Sequence, residues 1–303
     1  MLVIASRGSA LALWQARWVQ EQLAALGHDS RIEIIKTTGD KITGVPLNQA
    51  GAQVGTKGLF TKEIEEALLE GRADLAVHSL KDLPTELPAG LTLAAIPARE
   101  DPRDAMVGMR LADLPKGAKV GTSSLRRGAQ LRTLRPDLRI EPVRGNLDTR
   151  LRKLDQGHYD AIVLAAAGLY RLDWQDRIAE VVSPDIICPA AGQGALAIET
   201  AVGAGPPSAL WEKLDDALTR AAITAERTLL AALGGGCQVP IGALGTVAGG
   251  TLHLRGIVVS PDGRCVVRDT LDGPLAEAAA IGRRLGETLL AAGGDSILES
   301  VYG

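Results

Sequence analysis

The sequence predicts an α/β protein, and three observations carry that prediction. Short apolar runs alternate with helix-patterned stretches through the first two-thirds of the 303 residues, as in βα units laid on a mostly parallel sheet. A polar, proline-punctuated segment, Pro97-Ala98-Arg99-Glu100-Asp101-Pro102, interrupts the series and reads as a hinge or boundary. The last third changes character, to closely spaced strands followed by a helix, which makes a smaller α+β block. At roughly 150 residues per domain, the length calls for two domains or three smaller ones.

The first series reads as a strand at Leu2–Ala5, a helix at Ser9–Leu26, a strand at Arg31–Lys36, a helix at Phe60–Glu70, and strands at Asp74–Val77 and Leu91–Ile96. Between Asp40 and Lys57 no period is sustained, and loops of that length are functional lids or disordered segments. The second series has a strand at Lys119–Gly121, a helix at Ser124–Arg135, a strand at Arg139–Val143, a helix at Asn146–Gln156 and a strand at Tyr159–Ala165. Pro189-Ala190-Ala191-Gly192-Gln193-Gly194 breaks the pattern before a strand at Ala195–Glu199. A long helix, about Asp215–Leu233, stops at Gly234-Gly235-Gly236, since glycine readily takes the left-handed conformation that ends a helix. Strands at Ile241–Val247, Thr251–Val259 and Cys265–Thr270 and a helix at Leu275–Ala292 complete the chain.

Composition narrows the function classes. With 46% hydrophobic residues and a net charge of −3, the chain buries enough apolar surface to fold. No apolar run approaches the ~20 residues of a membrane span. Leu2-Val3-Ile4-Ala5 is cut off by Arg7 with no basic segment before it, so no secretion signal is expected. Cys188, Cys237 and Cys265 are odd in number and widely spaced, giving neither a disulfide framework nor a zinc pattern. Without a targeting segment, a reducing cytoplasm is the expected compartment. His28, His78, His158 and His253 show no metal-ligand spacing, and no metal is expected.

Charge is unevenly spread. Thr122 to Arg152 holds eight arginines, no lysine and three acids, so this window is +5 and the remainder −8. Arginine grips carboxylates and phosphates through paired hydrogen bonds; taken alone, such a run is also what a solvated helix face looks like. Three turns place Ser, Thr or Gly where a strand passes into a helix: Ala5-Ser6-Arg7-Gly8-Ser9, Gly121-Thr122-Ser123-Ser124 and Arg144-Gly145-Asn146. Free N–H groups and the helix dipole make such turns anion sites. One alone is an ordinary N-cap; three together, each with arginine in reach (Arg7; Arg126 with Arg127; Arg144 with Arg150), point to a polyanion. His78-Ser79-Leu80-Lys81-Asp82 follows a strand at the carboxyl end where open α/β sheets bind ligands. An acid there fits a ligand with a positive or N–H centre as well as carboxylates; a surface turn with an Asp82–Lys81 pair is the plainer alternative. Cys237 sits on a glycine loop after a helix end, where the backbone can present a thiol, whereas Cys188 and Cys265 read as buried and inert.

Taken in order, several segments resemble the porphobilinogen deaminase family. They are Ser6-Arg7-Gly8-Ser9 with Leu13-Trp14-Gln15-Ala16, Lys57-Gly58-Leu59-Phe60, Ala76-Val77-His78-Ser79-Leu80-Lys81-Asp82, and Glu100-Asp101-Pro102-Arg103-Asp104. Gly121-Thr122-Ser123-Ser124-Leu125-Arg126-Arg127, Arg144-Gly145-Asn146, Ala167-Gly168-Leu169, Gly192-Gln193-Gly194 and Gly235-Gly236-Cys237-Gln238-Val239-Pro240 follow. The resemblance implies two periplasmic-binding-protein-like βα domains flanking a cleft plus a small C-terminal α+β domain, bounded here at 1–97 with 195–214, 98–194 and 215–303. It implies a transferase that joins four porphobilinogen molecules head to tail with loss of ammonia and frees hydroxymethylbilane by hydrolysis. The chain would grow on a dipyrromethane cofactor bound as a thioether to Cys237. Asp82 would be catalytic, beside the pyrrole nitrogens. Cofactor contacts would come from Ser79, Lys81, Thr122, Ser124, Arg126, Arg127, Arg150 and Gly168. Substrate contacts would come from Arg7, Ser9, Gln15, Arg144, Arg150, Arg171 and Gln193. A monomer acting on a small molecule, without nucleic acid or membrane partners, is expected. The sequence departs from the family at Gln53, where many members carry a lysine four residues before the Lys of the Lys57–Phe60 motif. Two other readings stay open: an anion-binding protein without chemistry, which needs neither Asp82 nor Cys237, and a transferase for phosphorylated substrates, which leaves Cys237 unexplained.

Overall fold

The computed structural model describes residues 1–41, 61–203, 208–235 and 239–302. The loop expected between Asp40 and Lys57, with Gln53, and the residues Phe60 and Cys237 therefore fall wholly or largely outside the described residues. Along the chain run β1 (Leu2–Ser6), α1 (Ala10–Ala25), β2 (Ser30–Ile34), the short α2 (Thr38–Lys41), α3 (Lys62–Leu69), β3 (Leu75–Ser79) and β4 (Leu91–Ala95). Next come β5 (Asp104–Val107), β6 (Lys119–Gly121), α4 (Leu125–Leu134), β7 (Arg139–Glu141), α5 (Leu147–Asp155), β8 (Ala161–Ala165), α6 (Ala166–Arg171) and β9 (Ile178–Val181). After β10 (Leu196–Ala201) follow α7 (Ser208–Leu214), α8 (Ala217–Ala232), β11 (Ile241–Ala248), β12 (Thr251–Val259), β13 (Val266–Pro274), α9 (Ala278–Leu289) and α10 (Asp295–Tyr302).

Two compact units emerge, Met1–Arg99 with Ala195–Thr219, and Glu100–Gly194 with Arg220–Gly303. In the first, five strands lie in the order β2-β1-β3-β10-β4. Alternation along each strand builds a core on both faces. Ile4, Leu75, Val77 and Ile198 meet Ala16, Val19 and Leu23 of α1, while Ala5 and Ala76 pack with Ile64 and Leu68 of α3. Ser9 caps α1 by accepting the Ala12 N–H.

The second unit holds a five-stranded sheet, β7-β6-β8-β5-β9, and a three-stranded antiparallel sheet, β11-β12-β13. The smaller sheet packs Leu254 and Val258 against Ala225 and Leu229 of α8 and Ile281 and Leu285 of α9. Within this unit the small sheet is fastened to the larger body. Arg132 Nη1 donates to Pro261 O at 3.1 Å, Thr133 Oγ1 donates to Gly263 O at 2.8 Å, and Ala129 and Cys188 pack on Leu244 and Ile257. The fold is α/β, with two sheet-and-helix bodies and a small C-terminal body.

The large sheets are mixed rather than mostly parallel: β10 runs antiparallel to β3 and β4, and β5 antiparallel to β8 and β9. Expected elements recur within a few residues, but α2, β5, β9, α6, α7 and α10 are additional. The four residues of β5 open with an acid, and α6 has only six residues, so neither shows a readable period. The C-terminal helix expected over Leu275–Ala292 opens as a single tight turn at Leu275–Glu277 and ends where expected, because Gly293, with a φ of +103°, bends the chain into α10.

Candidate active site

In the first unit, β3 delivers its last residues to the sheet's carboxyl end. Ser79 accepts from Gln15 Nε2 of α1 at 2.9 Å, the Leu80 N–H donates to Ala195 O at 3.0 Å, and Leu80 is buried. These contacts fix a single tight turn, Leu80–Asp82, that leaves Lys81 half-buried and Asp82 exposed. Asp82 has no hydrogen-bond or ion-pair partner among the described residues, so its carboxylate stands available to a ligand. Gln15, expected at the substrate, is buried and clamps Ser79. The Ser9 hydroxyl serves as the α1 cap, with half-buried Arg7 two residues before it.

In the second unit the turn after β6 is tied down from several sides. The Thr122 N–H donates to Glu141 O, the Ser124 N–H to Thr122 Oγ1, and the Arg127 N–H to Ser124 Oγ, so Ser124 caps α4. Arg126 and Arg127, adjacent on α4's first turn, both turn inward onto Asp104 at the start of β5. Arg126 Nη1 reaches Asp104 Oδ2 at 2.7 Å and Cys188 O at 2.6 Å. Arg127 reaches Asp104 Oδ1 through Nε at 2.9 Å and Nη2 at 2.6 Å, and Val163 O through Nη1 at 3.1 Å. Gln193 joins them, donating to Asp104 Oδ1 at 2.9 Å and to Pro102 O at 2.7 Å. Burial alone would raise the Asp104 carboxyl, but the charges and hydrogen bonds of the two arginines hold it well below the usual carboxylate range.

One carboxylate faces two guanidiniums, so this buried cluster keeps a net positive charge. Arg126 spends Nη1 on protein oxygens and keeps Nε and Nη2, which find no partner among the described residues. A ligand carboxylate suits those remaining donors and the unbalanced charge. Arg171, from α6, donates through Nη2 to Gly194 O at 2.6 Å, and burial lowers its pKa to about 10, against the opposing pull of Glu100, leaving it cationic at neutral pH. Gly194 is obligatory beside Gln193: its φ is +88°, and a Cβ there would lie 2.4 Å from Glu100 O. Gly168 is buried within α6. Arg144 and Arg150 flank the N-terminus of α5, with Arg150 Nε bonded to Gly145 O at 2.8 Å.

The structure thus gathers Arg126, Arg127, Arg171 and Gln193 around the 189–194 turn. It separates them from the rest of the arginine run: Arg135 pairs with Asp137, Arg152 with exposed Asp148, and Arg132 serves the small sheet. Glu226, and the structural role of Asp104, escaped sequence reasoning. Glu226, fully buried on α8, accepts the N–H groups of Gly192 and Gly245 at 2.7 Å each, tying the 189–194 turn to β11. Asp104 had one available signal, an acid opening an apolar run, Ala105-Met106-Val107. Cys188 is buried, as expected, and burial pushes its thiol up to about 12; Cys265 is not buried as expected but exposed, in the turn that joins β12 to β13.

Fold and site define an α/β protein with a buried, cationic binding cluster and an exposed carboxylate held on a tight turn. The family described as "Porphobilinogen deaminase, dipyromethane cofactor binding domain" matches residues 2–204, and "Porphobilinogen deaminase, C-terminal domain" matches residues 220–291. Proteins named porphobilinogen deaminase from Syntrophotalea carbinolica and Roseiflexus castenholzii are 53% and 52% identical, over 99% and 98% of this chain and 96% and 98% of theirs. That of Chromobacterium violaceum is 51% identical over 99% of this chain and 97% of its own. The chain belongs to the porphobilinogen deaminase family. It is an enzyme of tetrapyrrole biosynthesis and carries the family's dipyrromethane cofactor-binding domain.

Proposed function

We propose that this chain joins four porphobilinogen molecules head to tail, releasing ammonia at each addition, and frees the linear tetrapyrrole hydroxymethylbilane by hydrolysis. The observation that carries the site assignment is the buried Asp104–Arg126–Arg127 cluster with its spare positive charge. Each pyrrole brings an acetate and a propionate, so every addition brings two more carboxylates to be held. Arg126, with Arg127 set beside it by Asp104, suits the carboxylates of the cofactor, together with Lys81, Thr122, Ser124 and Arg150. Arg7, Ser9, Arg144 and Arg171 suit those of incoming substrate. When bound as a thioether on Cys237, dipyrromethane supplies the pyrrole end that is extended. Ser79 and Gly168 fall to the cofactor, and Gln15 and Gln193 to the substrate side, where the structure gives both glutamines a positioning part.

Asp82 does the chemical work on this reading. An exposed carboxylate beside the pyrrole N–H groups stabilises the cation left when ammonia departs. It also takes up and returns protons as the new carbon–carbon bond forms. We further read three domains, 1–97 with 195–214, 98–194 and 215–303, in a monomeric, cytoplasmic protein. The free Cys188 and Cys265 support a reducing compartment.

Intact-mass spectrometry tests the cofactor: the purified protein exceeds its sequence mass by two pyrrole units, and Cys237→Ala removes the excess. An unmodified but fully active protein overturns it. Asp82→Ala keeps the added mass but loses ~10²–10⁴-fold in turnover; near-normal turnover removes Asp82 from the mechanism.

A further inference from the structure

A second group of buried ionisable side chains lies in the first unit, in a different setting from the arginine cluster. His78 is the penultimate residue of β3, and Glu199 lies on neighbouring β10, diagonally across the antiparallel register in which His78 faces Ala197 and Glu199 faces Ala76. Both side chains emerge on the face covered by α3, where Glu65 is also buried. His78 Nε2 and Glu199 Oε2 approach to 3.0 Å, with side-chain exposures of 5% and 0%. The angle is not that of a hydrogen bond, and both Glu199 oxygens and Glu65 Oε1 are buried without a hydrogen-bond partner. Burial raises the Glu65 carboxyl, the neighbouring Glu199 and Glu66 add to that, and Thr61 and His78 oppose it.

Among the described residues, the neighbouring elements bring no unpaired charge to this face: on β2, Arg31 pairs with Glu33. β1 and β4 carry no titratable side chain, and the charged residues of α1, Arg17 and Glu21, are exposed. Asp74 and Glu63 are occupied elsewhere, by the Val3 N–H and by Thr38. The surroundings are apolar: Ala5, Ile64, Leu68 and Ala76. Two carboxylates and one imidazole thus meet where three of the carboxylate oxygens find no donor, and burial there favours the neutral form of Glu65. No set of three His, Cys, Asp or Glu side chains among the described residues, this one included, is arranged to hold a metal ion.

The cluster stands directly behind the catalytic turn. One residue separates His78 from Leu80, whose N–H bonds to Ala195 O on the chain that enters β10, and Lys81 and Asp82 follow. The His78–Glu199 contact therefore joins β3 to β10 beside the point where the turn is anchored. We propose that Glu65, His78 and Glu199 form a buried proton-sharing cluster, and that His78 and Glu199 are positioning residues that set the Lys81–Asp82 turn for turnover. The positioning role rests on the assignment of Asp82 made above.

The test uses the cofactor-bearing enzyme turning over porphobilinogen. Glu199→Gln keeps shape and removes charge, and His78→Asn keeps a polar group near the ring position. Each lowers kcat ~10-fold with KM changed less than ~2-fold, and moves one limb of the kcat–pH profile by about one unit, while the two-pyrrole mass is retained. Wild-type kcat and pH profile in both folded variants overturn the positioning role. A wild-type protein that carries no added mass and does not consume porphobilinogen overturns the functional reading, and the positioning role with it. Should a variant fail to fold, NMR titration of the unaltered protein decides: the His78 ring and the Glu65 and Glu199 carboxyls share coupled transitions if the cluster exists. Three independent transitions overturn it, whatever the enzyme's activity.

Discussion

The two buried charge clusters differ in how they are balanced. In the second unit, one carboxylate, Asp104, serves two guanidiniums, and each of its oxygens accepts hydrogen bonds. In the first unit, two carboxylates, Glu65 and Glu199, share one imidazole, and three of their oxygens accept nothing. The first arrangement holds fixed charge, because arginine does not give up its proton. The second, on the proposal above, shares protons that can be exchanged. A site that must grip carboxylates of constant charge gains from the former; a turn serving proton transfer gains from the latter. The pH response follows with opposite sign. The Asp104 carboxyl is held low, so it contributes stability above its ordinary unfolded value and loses it as pH falls. Glu65 is held high, so it favours the fold at low pH and opposes it as pH rises.

Removing the balancing acid of the second unit breaks the comparison most severely. Asp104→Asn leaves two buried guanidiniums without countercharge, a loss of about 3–5 kcal/mol in urea unfolding at pH 7, since isolated buried charge is far costlier than the pair. The gap between variant and wild type narrows below pH ~4, where the unfolded aspartate becomes protonated and the native advantage fades. An unchanged unfolding midpoint at pH 7 would show that Asp104 does not hold the arginines.

Much of this was legible in the sequence, for physical reasons that also mark where legibility ended. Helices with an oxygen-bearing cap, such as α1 after Ser9, follow from local rules, and so do strands bounded by glycine and proline. Direction within a sheet does not: β10 enters after the chain has been through the second unit, and nothing local to Leu196–Ala201 says it will run antiparallel to β3. At the site, the capped turn after β6 and the arginines following it were legible as local features. Their anchoring to Asp104, 22 and 23 residues away, was not, because a lone acid at a strand start looks like any other. Glu199 was hidden in the same way, inside an apolar run that gives no hint of a histidine across the strand pair. The ordered set of short motifs revealed the family because each carries a residue type that its local turn or ligand demands.

Unit one responds more weakly and in the other direction. Glu65→Gln keeps the side chain's size and removes the buried charge, so the variant is more stable than wild type at pH 7–8 and converges with it near pH 4, where Glu65 is protonated in both native and unfolded chains. A gain of about 1 kcal/mol is the scale expected for relieving one partly compensated buried group. Urea midpoints measured from pH 4 to 8 check it, and a variant less stable than wild type across that range would mean that the Glu65 charge is compensated after all.

The smallest effect belongs to the arginines that the charge count alone would have ranked equally with Arg126. Arg152 lies on α5 one turn from Asp148, 3.7 Å apart, with both side chains more than half exposed. Such a pair is screened by water and spends side-chain entropy to form, so Arg152→Ala costs only ~0.3–0.5 kcal/mol and leaves the two-pyrrole mass and turnover intact. Arg126→Ala, by contrast, strips Asp104 and Cys188 O of a buried donor and depletes the binding cluster's charge. Equal losses in the two variants would mean that burial does not decide which arginines act on the ligand, and that the whole run from Thr122 to Arg152 works as one diffuse positive surface.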